Sequence, residues 1–303
     1  MKTTDGGRRW NWALTVCGGE ILSRNFQSGW LLRQLGWFRN PTWLGVGPNH
    51  PNVVYGTDSG RTFKSEDGGR SWSQLISNDH PDGSAESRGL DVTTTYGVHF
   101  DRYDPNHLFI TYTDIGLFHS FDGGRSWHHA IAGIPRQWRN TCYWLEFDPA
   151  VRGRIYSVWS NVHDLPRPKM HRSGNLVNGN QKGGVAVSGD GGRWWELLNT
   201  GVLGPDGLHS DGMRPGAVPT HIVLDPTSPP ESRTLYVTDY GYGVWKSSDG
   251  GRTWQLKNQG IADVNRNCWR ITRLPSGRLI LLVARGGIEG QEVVPGAMYV
   301  SDD

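Results

Sequence analysis

An excess of charge of one sign is missing from this sequence. It has 31 Lys and Arg against 29 Asp and Glu, and the formal net charge of +2 sets up no long-range field that would draw in a nucleic acid or an anionic membrane. Long apolar runs are missing too. No stretch approaches the roughly 18 to 20 apolar residues of a membrane span, so no membrane insertion is expected. Met1-Lys2-Thr3 leads straight into a repeated motif, without the pattern of a signal peptide. Cysteine is scarce: Cys17, Cys142 and Cys268 are odd in number and widely spaced, which argues against a full disulfide framework or a cysteine zinc site. Buried free thiols are expected, with room for one disulfide at most. His163, His171, His209 and His221 show no metal-type spacing, so neither a metal nor another cofactor is expected.

What the sequence has is 42 Gly, 17 Pro and 15 Trp. Many tight turns and many flat aromatic surfaces suit short strands better than long helices, so the chain is expected to be all-β. An internal repeat sharpens this. Thr3 to Trp10 (TTDGGRRW), Ser65 to Trp72 (SEDGGRSW), Ser120 to Trp127 (SFDGGRSW), Ser188 to Trp195 (SGDGGRWW) and Ser247 to Trp254 (SSDGGRTW) are copies of one turn, and Ser301-Asp302-Asp303 begins another. The aspartates Asp5, Asp67, Asp122, Asp190, Asp249 and Asp303 recur at intervals of 54 to 68 residues, a period that fits a four-stranded β-propeller blade with long loops.

Within each period an alternating apolar run, a turn often written Asp-Pro, two further short strands and the box follow in order. Gly97 to Phe100 precedes Asp104-Pro105 and Leu108 to Tyr112; His221 to Leu224 precedes Asp225-Pro226 and Thr234 to Val237. These read as β-meanders. In the box, the Asp is expected to accept turn N–H groups, the glycines to adopt positive φ, and the Trp to pack between sheets, which makes the box structural.

These residues resemble the Asp-box (BNR) propellers: family 74 xyloglucanase-type glycoside hydrolases, sialidases and sortilin-type receptors. About five blades are present in one domain over residues 1–303. Both ends of the sequence fall inside a box, as expected of part of a six- or seven-bladed or larger propeller; the alternative is a shared blade that closes five. The resemblance implies export, to the periplasm or outside the cell. It also implies that ligands meet the face opposite the boxes, built from the approaches to each first strand and the exits from each second strand.

On the approaches stand Arg39, Asn40 and Trp43; Tyr96; Arg139, Asn140, Tyr143 and Trp144; His221; and Arg266, Asn267, Trp269 and Arg270. Arg, Asn and Trp converging in this way grip a sugar, or else the Arg-Asn pairs satisfy backbone groups between blades. On the exits stand Asp58, Asp114 and Asp239, each in Thr-Asp-x-Gly, while Asn161-Val162-His163-Asp164 replaces that pattern. Asp114 most resembles the segment that supplies a catalytic aspartate in family 74. Glycoside hydrolysis needs two carboxylates about 5 to 9.5 Å apart, and Asp58, Asp114, Asp164, Asp239 and Glu146 are the candidates. In family 74 the two acids come from two propellers, so one propeller alone would not complete that mechanism. Trp43, Trp144, Trp159 and Trp269 are candidate stacking platforms. Segments 164–183 and 201–219, the second carrying Asp206, His209, Asp211 and Arg214, are long loops of the kind that often serve function.

Two functions compete. One is a glycoside hydrolase acting on a poly- or oligosaccharide through axial carboxylates. The other is a non-catalytic propeller that binds a glycan or a protein partner, favoured by aspartates that follow the repeat rather than break it. The Phe/Tyr-Arg-Ile-Pro segment of sialidases is absent from the sequence.

Overall fold

The computed structural model describes residues 1–14, 25–27, 29–30, 43–57, 62–88, 93–167, 170, 181–198, 216–286 and 294–302. They fall into two compact units, Met1–Val92 with Arg125–His128, and Thr93–Gly124 with His129–Asp303. No described helix is long and apolar enough to cross a membrane.

The first unit holds a five-stranded sheet of β1 (Phe26–Gln27), β2 (Trp43–Gly47), β3 (His50–Thr57), β4 (Thr62–Ser65) and β5 (Trp72–Gln74), in the order β1-β5-β4-β3-β2. A hairpin of β6 (Ser77–Asp79) and β7 (Ala85–Ser87) accompanies it. Phe63 is fully buried, with Phe26 and Trp72 edge-on to its ring at 5.8 and 5.6 Å.

The second unit is a run of antiparallel β-propeller blades. Three sheets have four strands in chain order: β8 (Thr95–Phe100), β9 (Leu108–Tyr112), β10 (Leu117–Ser120) and β11 (His128–His129); β12 (Thr141–Phe147), β13 (Ile155–Ser160), β14 (Gly183–Ser188) and β15 (Glu196–Leu197); and β16 (Pro219–Leu224), β17 (Leu235–Asp239), β18 (Gly243–Ser247) and β19 (Gln255–Leu256). The last sheet has three described strands, β20 (Cys268–Arg273), β21 (Leu279–Val283) and β22 (Ala297–Ser301). Two of the second strands, β13 and β17, are covered on both faces and buried at every residue. Apolar side chains pack between successive sheets: Phe109, Leu145 and Trp159 in the first space, Tyr143, Ile222 and Trp254 in the second, Ile271 and Leu281 in the third. Cys142 and Cys268 are buried free thiols; Cys17 lies outside the described residues.

Each box is a self-contained hydrogen-bonded turn. Gly192 N–H donates to Ser188 Oγ at 2.8 Å, and the Arg193 and Trp194 N–H groups donate to Asp190 Oδ1 at 3.0 Å. The box glycines have positive φ, as in Gly191 (76°) and Gly192 (82°), which a residue with a Cβ adopts only at a cost. In the second box, the hydroxyl and backbone N–H of Ser71 hold the Asp67 carboxyl well below the usual carboxylate range. The indoles of three boxes reach back to backbone carbonyls of earlier chain: Trp195 Nε1–H donates to Ala130 O at 3.0 Å, Trp254 Nε1–H to Leu198 O at 3.4 Å and, in the first unit, Trp72 Nε1–H to Ala13 O at 3.1 Å.

One irregularity repeats through the second unit. The pairing of each first strand with its neighbour skips a residue: Tyr96 in β8, Tyr143 in β12, Thr220 in β16 and Trp269 in β20. A β-bulge re-aims side chains without breaking the sheet. Here the skipped residues of three blades bring their aromatic rings together: Tyr96, Tyr143 and Trp269.

Candidate functional site

The exits from β9 and β13 meet. Thr113-Asp114-Ile115-Gly116 closes tightly, with Tyr112 N–H donating to Gly116 O at 2.8 Å. Asn161-Val162-His163-Asp164 leaves the next blade, and its histidine joins two carboxylates: His163 Nδ1 lies 3.2 Å from Asp164 Oδ2 and 3.5 Å from Asp114 Oδ1. One ligand atom from each of the three lies within 4.8 Å of the others. Such a set, two carboxylate oxygens and an imidazole nitrogen, could also hold a divalent cation. Asp164 is the most buried, with a side chain 10% exposed, against 28% for Asp114 and 35% for His163.

The backbone here is unusual. Among the described residues, the non-glycine residues with positive φ are Thr93 (118°), Asp114 (65°) and Asp164 (57°), and all three belong to this cluster. Thr93 Oγ1 donates to Asp114 Oδ2 at 3.0 Å, and Asp164 N–H donates to Thr113 Oγ1 at 3.2 Å. Backbone held in a sparsely populated region costs about 1–3 kcal/mol per residue and persists only where its surroundings enforce it.

The enforcement comes from the bulge residues. Tyr143 OH donates to Val162 O at 2.8 Å and Tyr96 OH donates to Leu165 O at 3.2 Å, so two phenols clamp the chain on either side of His163 and Asp164. Burial pushes the Tyr96 phenol up to about 12 and that of Tyr143 well above its ordinary value. Both stay protonated and remain donors. Their rings lie 4.8 Å apart, with the Trp269 ring 5.9 Å from Tyr96 and 5.7 Å from Tyr143.

The Arg270 guanidinium lies over the rings of Trp144 (4.8 Å) and Trp269 (4.5 Å), and its Nη1 donates to Thr220 O at 2.8 Å. Burial lowers it to about 10. These two indoles therefore stack on a cation of the protein. His221 packs on Trp144 with ring centroids 4.5 Å apart, and burial pushes it well below its ordinary value. His99 likewise falls to about 4.

The remaining candidates are placed elsewhere. Asp239, the repeat equivalent of Asp114, is fully buried and accepts from Val218 N–H at 2.8 Å and Trp245 Nε1–H at 3.2 Å. It pins a turn where Asp114 faces a histidine. Glu146 is half-buried on β12, two residues past Trp144, and burial raises its carboxyl to about 7. Trp159 is fully buried and donates to Ser157 Oγ, so it offers no face to a sugar. Trp43 is exposed on β2 in the first unit. The Arg-Asn pairs make contacts within the protein: Arg139 Nε donates to Ile134 O, Asn140 O accepts from Gly116 N–H of the preceding blade, Arg266 pairs with Asp263, and Asn267 O accepts from Ala284 N–H. Arg39, Asn40 and Asp58 lie outside the described residues, as do His171, Asp206, His209, Asp211 and Arg214.

Two threonines belong to the site that were not among its sequence candidates. Thr93 and Thr113 hold Asp114 and the Asp164 amide. The signal was the Thr that precedes Asp in each Thr-Asp-x-Gly exit, which reads as a turn residue until its hydroxyl is seen to cross to the next blade.

Neither a protein-family model nor a curated protein matches the sequence. Among solved structures, the chain is similar to an ancestral GH74 enzyme with 21% identity and a TM-score of 0.49, over 86% of this chain and 29% of that one. The GH74 enzyme of Niastella koreensis follows at 18% identity and a TM-score of 0.45, over 82% and 34%. YCF48 bound to a D1 peptide is similar at 14% identity and a TM-score of 0.39, over 80% and 60%. The chain thus spans about a third of the length of the GH74 structures. Identity at this level transfers no residue roles.

Proposed function

We propose that this is a carbohydrate-active propeller that hydrolyses a glycosidic bond of a poly- or oligosaccharide, with Asp114 and Asp164 as the reacting carboxylates. One observation carries the reading: two carboxylates from different blades meet at one histidine, on strained backbone clamped by buried phenols. Strain concentrated at a polar, partly open cluster is typical of functional sites. Glycoside hydrolysis needs a carboxylic acid to protonate the leaving oxygen and a carboxylate to attack the anomeric carbon or activate water. The short separation here leaves little room for an interposed water and favours direct attack. His163, facing both carboxylates, would orient them. Thr93 and Thr113 would hold them against rotation.

The second reading is recognition of a glycan or protein without turnover. Its support is that Trp144 and Trp269 stack on Arg270 and Trp159 is buried, which leaves few free platforms for sugar rings. One experiment separates the two. Reducing-sugar release is measured on xyloglucan, other β-glucans and sialyl-lactose with wild type, Asp114→Ala and Asp164→Ala, folding being checked by circular dichroism. Turnover lost in either variant establishes the hydrolase, whereas no turnover from wild type on any substrate, with glycan or protein binding retained, establishes the recognition propeller.

A further inference from the structure

The fourth box departs from its siblings at one position. The residue before the closing Trp is Arg9 in the first box, Ser71 in the second, Ser126 in the third and Thr253 in the fifth; in the fourth it is Trp194. A hydroxyl here completes the turn. Ser71 Oγ donates to Asp67 Oδ2 and Thr253 Oγ1 to Asp249 Oδ2, both at 2.6 Å. Asp190 Oδ1 keeps its donors, Ser188 Oγ and the Arg193 and Trp194 N–H groups, while no described residue donates to its Oδ2.

The indole that stands in place of the hydroxyl is 57% exposed and makes no hydrogen bond or ring contact with another described residue. Single exposed apolar side chains are ordinary on a protein surface. This one comes with the loss of a hydrogen bond that two sibling boxes make, and a local rule broken without a structural gain points to function. The surface beside it is built. Arg193 Nη1 donates to Asp190 O at 2.9 Å, and the guanidinium lies over the Phe121 ring of the preceding box at 4.5 Å. Phe121 stacks in turn on His107, with centroids 4.7 Å apart and planes at 12°. His107 is buried, its Nδ1 3.0 Å from Asp101 Oδ2.

We propose that this rim is a second glycan-binding site, with a pyranose ring stacked on Trp194, one hydroxyl donating to Asp190 Oδ2 and another accepting from Arg193. A pyranose offers a flat C–H face edged by hydroxyls that both donate and accept. That matches an aromatic face flanked by an acceptor and a guanidinium, whereas an apolar peptide side chain would match the indole alone. The box follows β14 at Ser188, which pairs with Ile155, while Asp164 lies beyond the other end of that ladder, where Ser160 pairs with Gly183. Five strand steps, about 17 Å, separate the two ends, so the rim would hold a glycan chain without acting on it. The choice of a glycan as ligand rests on the reading proposed above; binding at the rim requires no turnover.

The test is retardation in native gels containing xyloglucan or a mixed-linkage β-glucan, with wild type, Trp194→Ala and Trp194→Ser, alongside reducing-sugar release from a short soluble oligosaccharide. Wild type is expected to be retarded, and both variants to lose at least about tenfold in affinity with release from the oligosaccharide unchanged. Trp194→Ser should also raise Tm, because its hydroxyl restores the bond that Thr253 makes to Asp249. Equal retardation of wild type and the Trp194 variants would overturn the proposal, as would a wild type that neither polysaccharide retards. Hydrolysis by a wild type that is not retarded would remove the rim site alone. Retardation abolished by Trp194→Ala, with no hydrolysis by wild type, would support the rim site and remove the hydrolase.

Discussion

Replacing Tyr143 by Phe tests whether the buried phenols set the geometry of the candidate site. The substitution keeps the ring, fully buried against Tyr96 and Trp269, and removes only the hydroxyl that donates to Val162 O at 2.8 Å. Val162 is itself 3% exposed, so water does not readily replace the lost donor. A buried carbonyl left without its partner costs about 1–3 kcal/mol, which for a chain of this size corresponds to about 2–4 °C of Tm per kcal/mol. Tyr96→Phe removes a longer bond, 3.2 Å to Leu165 O, from a less buried ring, and should cost about 0.5–1.5 kcal/mol. The two rings touch and the two bonds hold one short exit segment, so a double-mutant cycle should give a coupling of about 0.5 kcal/mol or more. Urea denaturation supplies the energies, and hydrogen exchange of the amides of residues 161–165 supplies the location. Faster exchange confined to that segment is expected and, on the hydrolase reading proposed above, a fall in kcat larger than any rise in KM. An unchanged urea midpoint with unchanged exchange at 161–165 would refute the clamp.

Three further outcomes follow from the same structure. Asp148 and Arg233 form a bidentate pair, at 2.9 and 2.8 Å, with both side chains at most 1% exposed; Asp148→Ala should destabilise the protein by about 3–5 kcal/mol by leaving a buried cation, measured as a loss of urea midpoint. Glu146 is raised from 4.5 to about 7 by burial, so the folded chain keeps a proton that the unfolded chain releases, and stability falls as pH rises from about 4.5 to 7. Glu146→Gln should therefore gain on the order of 3 kcal/mol over wild type at pH 8 and nothing at pH 4, by urea titration at both pH values; His99 and His129, pushed down to about 4 by burial, weaken both proteins alike as pH falls below 6.5. Gly133 has φ of 89°, and a Cβ there would lie 2.0 Å from Trp195 O, so Gly133→Ala should lose more than about 3 kcal/mol, seen as a large drop in Tm.

The sequence by itself determined the repeat and most of what is local to it. The Ser-x-Asp-Gly-Gly spacing specifies its own turn because hydroxyl, carboxylate and positive-φ glycines all act within one short stretch of chain, and the Asp-Pro turns and alternating runs specify the meanders because strand patterning is also short-range. Asp114 and Asp164 were legible as candidates from their place at strand exits. Their meeting at His163 was not, since it depends on two blades packing face to face and on the bulges that turn Tyr96 and Tyr143 onto the exit loop. The same tertiary packing separated Asp114 from Asp239, which share the pattern Thr-Asp-x-Gly. One carboxylate is consumed by Val218 N–H and the Trp245 indole in a closed interior, while the other faces a partly exposed imidazole. Identical local sequence fixes the turn, and the neighbouring blade decides what the side chain meets.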